Sequence, residues 1–334
     1  MSQVTALILA AGEGKRMKSE KAKVIHKLCG RAMIEWVYEA AQGAGIERCA
    51  AIIGHKADQI MEYMGNKVEY VLQEKQLGTG HALQQAHRFY TNGEGIILVL
   101  YGDTPLITSK TIINAIEYME QGNYKAVVIS AEVREPFGYG RIIRDAGGNF
   151  VKIVEQRDTN EEERGIKEIN SGMYVFSSKE LAEVLKLLTN NNEQNEYYLT
   201  DTLELMLSKG YKTGIYMADD SDEVLGVNDR LQLQQVSSIL KKRIMNAYML
   251  SGVTIVDPGF IHIDAGVKIG ADTVILPGTV IEGRTEIGRN CTVGPNSTIR
   301  NAIIGEASTV YCSTIDGCTV DDGAEIGPGA RICK

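Results

Sequence analysis

The chain has 334 residues, is 44% hydrophobic and carries a formal net charge of -8, which excludes a disordered polypeptide and disfavours nucleic acid or anionic membrane as a partner. The length predicts more than one domain, and no run of about 18 apolar residues suits a membrane span. Six cysteines without a CxxC pair give no zinc ligand set, and with no basic leader at the N-terminus the chain reads as a reduced, soluble, cytoplasmic protein.

In chain order, Val4 to Leu9 predicts a buried strand. It runs into Leu9-Ala10-Ala11-Gly12-Glu13-Gly14-Lys15-Arg16-Met17, a glycine loop whose backbone N–H groups can approach phosphate oxygens. A dinucleotide fingerprint needs glycine where Met17 stands, and a P-loop needs Ser or Thr where Arg16 stands. What remains is a glycine loop followed by the cations Lys15, Arg16 and Lys23, a set suited to a triphosphate. Met33 to Gly43 predicts a helix. Strands follow at Ala50 to Ile53, Val68 to Leu72, Ile96 to Leu100, Ala126 to Val133 and Ile169 to Phe176. This alternation predicts an open α/β sheet, mostly parallel and buried on both faces.

From Asp229 to Leu250 the pattern becomes one helix, with Leu233, Val236, Leu240 and Ile244 at helical spacing. Its basic run, Lys241 to Arg243, is expected to be a solvated face. After Gly252 the period changes to six: Ile269, Ile275, Ile281, Ile287, Val293 and Ile299, then Val320, Ile326 and Ile332 after a slip near Ile304. A six-residue step with glycines between predicts a β-helix of hexapeptides, four to five coils at about 18 residues each. The expected domains are therefore residues 1–228, a connecting helix 229–251 and a partial β-helix 252–334. The pattern stops without an obvious cap. Cys291, Cys312, Cys318 and Cys333 are read as small coil residues.

The opening LILAAGEGKRM with Lys23 resembles the sugar nucleotidylyltransferases. The segments Gln73 to Ala82, Leu100 to Leu106, Gly138 to Ile142, Ile153 to Glu155, Glu168 to Gly172 and Gly226 to Arg230 narrow the resemblance. Together they resemble the bacterial bifunctional enzymes that acetylate glucosamine-1-phosphate and uridylylate the product, over the whole chain. One departure is Ala22, where that family usually has proline before the lysine.

The resemblance implies a Rossmann-like nucleotidyltransferase sheet followed by a left-handed parallel β-helix. It implies UTP and N-acetylglucosamine-1-phosphate as substrates and Mg²⁺ as cofactor. Arg16 and Lys23 are the implied catalytic cations. Ala11, Gly12, Gly14, Gln73, Gly78 and Thr79 are the implied nucleotide residues, with Gln73 matching an imide edge through donor and acceptor together. Gly140, Glu155, Asn170, Tyr198 and Thr200 are the implied sugar residues, and Asp103 with Asn228 the implied metal ligands. Since a phosphate monoester is already ionised, no histidine is assigned as base. His26, His55, His81 and His87 are read as loop or surface residues.

The family's acetyl transfer needs a base and anion-binding groups. Here the β-helix segment has one histidine, His262, and after Asn301 only Arg331 and Lys334 are basic, so acetyl transfer is expected to be absent. Hexapeptide helices resemble known trimer-formers, which implies a homotrimer. Rival readings are a glucose-1-phosphate nucleotidylyltransferase, a hexapeptide acyltransferase and a non-catalytic scaffold. Gln156-Arg157-Asp158 after Glu155, in place of the Lys-Pro of many glucose-1-phosphate enzymes, favours the N-acetyl sugar.

Overall fold

A computed structural model describes residues 3–192 and 194–334, which divide into two compact units. The first comprises residues up to His26 and Ala32–Gln232; the second comprises Lys27–Arg31 and Leu233–Lys334.

The first unit is built on a nine-stranded sheet. Its strands are β1 (Val4–Ala10), β2 (Arg48–Ile53), β3 (Glu69–Leu72), β4 (Ile96–Tyr101), β5 (Ala126–Glu132), β6 (Gly140–Arg144), β7 (Phe150–Val154), β8 (Glu168–Ser177) and β9 (Thr213–Met217). The spatial order is β9-β5-β8-β4-β1-β2-β3, with β6 and β7 forming a hairpin on β8. Alternate residues of β1 enter different cores: Ala6, Ile8 and Ala10 pack on one side, Leu7 and Leu9 on the other. Burial on both faces explains why this strand reads as an unbroken apolar run rather than as alternation.

The sheet is parallel through β4, β1, β2 and β3, and again between β5 and β9, while β8 runs antiparallel to both β4 and β5. The helix predicted at Met33 to Gly43 spans Met33–Gly43. It turns Met33, Ile34, Val37, Ala40 and Ala41 inward, the spacing of one helical face.

The second unit takes most of the helix Arg230–Leu250 and all of the repeat. Met245 is buried in the β-helix core, with Ile244 and Tyr248 packed against it. Three parallel sheets of short strands stack coil on coil, as in a left-handed β-helix. Val274 pairs with Thr292, and Thr292 with Thr309, so one coil has eighteen residues and the next seventeen. The slip near Ile304 is therefore not single. Five-residue sides also separate Val310, Ile315 and Val320, all inward and buried.

Each side has a second inward position two residues before its aliphatic. Thr273, Thr279, Thr285, Cys291, Ser297, Ala302, Ser308 and Ser313 occupy it, each at most 4% exposed. The threonine hydroxyls there donate to carbonyls, Thr273 to Gly288 (2.8 Å) and Thr279 to Leu276 (2.6 Å). Cys291 fills one of these small-residue slots, whereas Cys333 is exposed. Among the described residues, no helix is long and apolar enough to cross a membrane.

Candidate active site

Parallel strands bring their carboxyl ends to one edge of the sheet, the usual ligand position in open α/β folds. A cleft of about 620 Å³ lies there, lined by the end of β1 (Leu9 to Gly12), by Tyr101 and Asp103 after β4, and by Gln73 after β3. The N–H of Gly102 donates to Leu9 (2.9 Å) and fixes the two strand ends together. A Cβ on Gly12 would meet nothing within 4 Å, so its backbone faces open space where a phosphate can approach.

Lys23 lies deeper. Its ammonium donates to the Asp103 carboxylate and, at 3.1 Å, to Asn228 Oδ1. Asp103, Asn228 and Lys23 come from the end of β4, the segment before the long helix and the first loop, so three distant parts of the sequence converge. Two hard oxygen donors already gathered around one cation fit Mg²⁺, which completes its shell from water and substrate phosphate. Among the described residues no cluster of three or more His, Cys, Asp or Glu offers a fuller protein cage. Asp103 and Asn228 would hold the ion.

Gln73 is 3% exposed. Its amide nitrogen donates to the Gly78 carbonyl (3.1 Å) and lies 3.0 Å from His81 Nδ1. Gly78 has φ 105°, and a Cβ there would come within 2.6 Å of the Tyr197 carbonyl oxygen. Only glycine serves at that position. Thr79 opens the helix Thr79–Gln85, and its hydroxyl accepts from the Leu199 N–H (3.1 Å).

The sugar set gathers beside it. A Cβ on Gly140 would be 3.5 Å from both the Asn170 Cβ and a Glu155 carboxylate oxygen. Tyr174 donates from its hydroxyl to Asn170 Oδ1 (3.1 Å). Burial, then the charges of Asp158 and Asp201, pushes the Glu155 pKa up. Burial, then Asp158 and Glu155, does the same to the Tyr198 phenol. Thr200 is buried and hydrogen-bonds Asp201, whose pKa rises to about 6 through burial, then Glu204 and Asp158.

The two sets meet at Tyr101, which hydrogen-bonds Thr79 and feels the charges of Glu155 and Asp103. Sequence reasoning missed Tyr101, although it stands inside Tyr101-Gly102-Asp103, and it missed Asp201, next to Thr200. Gly14 and Arg16 do not line the cleft. Arg16 is exposed on the turn Lys15–Met17, and Lys15 lines the cleft instead, paired with Glu13 at 2.5 Å.

The histidines divide. His55 and His87 are exposed. His26 lies in an irregular segment, as expected, but is buried beside Arg230, and its Nε2 has no hydrogen-bond partner among the described residues. His81 is half-buried on a helix, not in a loop.

Residues 6–199 match the family model of the MobA-like NTP transferase domain, and residues 266–301 match the bacterial transferase hexapeptide of six repeats. A protein of Acetivibrio thermocellus named Bifunctional protein GlmU is 50% identical over 332 residues, covering 99% of this chain and 72% of that protein. The chain belongs to the GlmU family. A GlmU of Clostridioides difficile is 45% identical, over 98% of this chain and 71% of its own length. One of Geobacillus sp. strain WCH70 is 46% identical with the same coverage. A Bacillus anthracis protein described as a glucose-1-phosphate thymidylyltransferase superposes with a TM-score of 0.58 at 20% identity, covering 71% of this chain and 94% of that one. That likeness shows the fold. GlmU membership makes the chain a nucleotidyltransferase enzyme with a hexapeptide β-helix.

Proposed function

We propose that the chain transfers UMP from UTP to N-acetylglucosamine-1-phosphate, giving UDP-N-acetylglucosamine and pyrophosphate for cell-wall precursor synthesis. The convergence of Lys23, Asp103 and Asn228 at the floor of a glycine-loop cleft carries the reading. A phosphate oxygen of the sugar phosphate attacks the α-phosphorus of UTP, and the bond to the β-phosphate oxygen breaks. Pyrophosphate leaves toward Lys23, Lys15 and Arg16. Bound at Asp103 and Asn228, Mg²⁺ supplies charge neutralisation on the phosphates. The chain's own residues align the two substrates and hold cations where charge accumulates.

Gln73 and the Ala11–Gly12 and Gly78 backbone take the base, and Gly140, Glu155, Asn170, Tyr198 and Thr200 the sugar. Gln156, which follows Glu155, accepts from Gly138 N–H and Arg141, both at 2.9 Å. Glutamine stands there in place of the lysine of many glucose-1-phosphate enzymes, in keeping with the N-acetyl sugar. The β-helix assembles the chain as a homotrimer, and a monomer in sedimentation at micromolar concentration would count against it. These 334 residues carry no acetyl transfer, so acetyl-CoA with glucosamine-1-phosphate is expected to release no CoA thiol.

The test is pyrophosphate release with UTP, Mg²⁺ and N-acetylglucosamine-1-phosphate, beside glucose-1-phosphate and beside ATP, CTP, GTP and dTTP. Release confined to UTP and the N-acetyl sugar supports the proposal. Release chiefly with glucose-1-phosphate overturns the substrate. Asp103→Ala is expected to lower kcat/KM at least about a hundredfold; turnover within twofold of the original removes Asp103 from the metal site.

A further inference from the structure

All but one of the hydrogen-bonding atoms of Gln73 have a partner within the protein. The main-chain N–H donates to Ile53 (2.8 Å), and the main-chain carbonyl accepts from Gln76 Nε2 (3.1 Å). The side-chain nitrogen faces two groups, the Gly78 carbonyl at 3.1 Å and His81 Nδ1 at 3.0 Å. An amide nitrogen carries two protons, so both are placed. The side-chain oxygen alone has no protein partner among the described residues, so this cleft-lining amide offers a base one acceptor and not the donor and acceptor together expected from the sequence.

An amide can turn end for end, exchanging oxygen and nitrogen. With His81 neutral, turning Gln73 would set its oxygen against two acceptors at once. Burial lowers the His81 pKa, with the Lys75 carbonyl opposing, and keeps the ring neutral with one bare nitrogen. The other ring nitrogen lies 3.1 Å from the Gln85 amide nitrogen; turned end for end, that amide presents its oxygen to a ring N–H there and leaves Nδ1 as the acceptor. The ring itself packs at 6.2 Å from that of Tyr197, whose backbone bonds Leu77 and Gly80 at 2.8 Å each.

We infer that His81 is a positioning residue for base choice: its Nδ1 accepts from Gln73 and holds the amide oxygen toward the pyrimidine edge. Uracil presents an N–H at N3 and is accepted. Cytosine presents a lone pair there and is refused, because the site's fixed group is then left facing another acceptor. Thymine also carries N3–H, so this pair does not distinguish dTTP from UTP. The inference rests on the uridylyltransferase reading and adds to it the second acceptor that, with the Gly78 carbonyl, keeps the amide from turning.

The experiment compares kcat/KM for UTP, CTP and dTTP in the full chain and in His81→Phe, with a thermal melt of each. UDP and CDP affinities by calorimetry read the same preference without turnover. With the second acceptor gone, Gln73 can offer its N–H₂ to cytosine. The UTP-to-CTP ratio is expected to fall at least about tenfold, through a lower value for UTP and a higher one for CTP, while the UTP-to-dTTP ratio stays. If His81→Phe melts early, His81→Leu, which likewise carries no acceptor, gives the same comparison. A folded variant that keeps the UTP-to-CTP ratio overturns the role of His81 and leaves the uridylyltransferase reading standing. Wild-type enzyme that uses CTP as readily as UTP overturns that reading and this inference together.

Discussion

The Lys23 ammonium bonds both oxygens proposed to hold the metal, the Asp103 carboxylate and Asn228 Oδ1. A lysine and a divalent ion therefore compete for the same lone pairs. With a divalent ion held there, Asp103 and Asn228 would no longer engage the ammonium, which would be free to face the phosphates. Lys23→Met is expected to lower kcat at least about a hundredfold, as for loss of a charge that meets the transition state. It should also tighten Mn²⁺ binding to the nucleotide-free protein in calorimetry. Equal or weaker Mn²⁺ binding in the variant would refute the competition.

Gly14 gives Lys23 its path. Its φ is 64°, and a Cβ there would lie 2.7 Å from the Lys23 Cβ. Gly14→Ala meets strain and contact together, so we expect stability to fall by about 1 kcal/mol in urea unfolding. Turnover should fall more than UTP affinity, since the lysine is displaced and the base-binding residues are not. Unchanged kcat would show that Lys23 reaches its place by another route.

Asp201 titrates near pH 6 in the folded protein, against 3.8 as the ordinary value, chiefly through burial. Its folded-state pKa is raised, so between these values the folded protein binds the extra proton, and stability falls as pH rises through the window. Asp201→Asn removes the charge that burial disfavours. Its melting temperature should exceed that of the original at pH 8, and the difference should vanish below about pH 4. An equal gap at both pH values would mean that the carboxyl is not the cause.

The β-helix makes a prediction of its own. Asn290, Asn296, Asn301, Ala307, Cys312, Gly317 and Gly323 all have positive φ, and each lies three residues before an inward aliphatic. Asparagine and glycine suit that left-handed corner; alanine does not. Ala307 is exposed at φ 55°, so Ala307→Asn is expected to add about 0.5–1 kcal/mol to stability in urea unfolding. Destabilisation by that substitution would count against corner strain at this side.

These corners also show where sequence reading stopped. The helix Met33–Gly43 and the strand β1 were legible because a single face, or a run buried on both sides, decides them locally. The six-residue step was legible for the same reason. The slip near Ile304 was legible too, but the further five-residue sides ending at Ile315 and Val320 were not, and the corner before Ile315 is Cys312 rather than the glycine or asparagine that marks such a turn. The antiparallel course of β8 and the β6–β7 hairpin depend on partners far along the chain. Asp103, Asn228 and Lys23 each stand in a recognisable motif, but their meeting point depends on the fold. His81 stood inside a motif, but its bond to Gln73 is invisible to spacing, since one residue follows a strand and the other rides a helix.

The loop proposed to face the base and the segment proposed to face the sugar are joined by three hydrogen bonds. Gly80 donates to Tyr197, Tyr197 to Leu77, and Leu199 to the Thr79 hydroxyl, with Tyr198 and Thr200 interleaved. A first substrate that orders this seam lowers the ordering cost met by the second, and the help is mutual by thermodynamic necessity. On the proposed assignment, cooperation between the two substrates would run through these three hydrogen bonds.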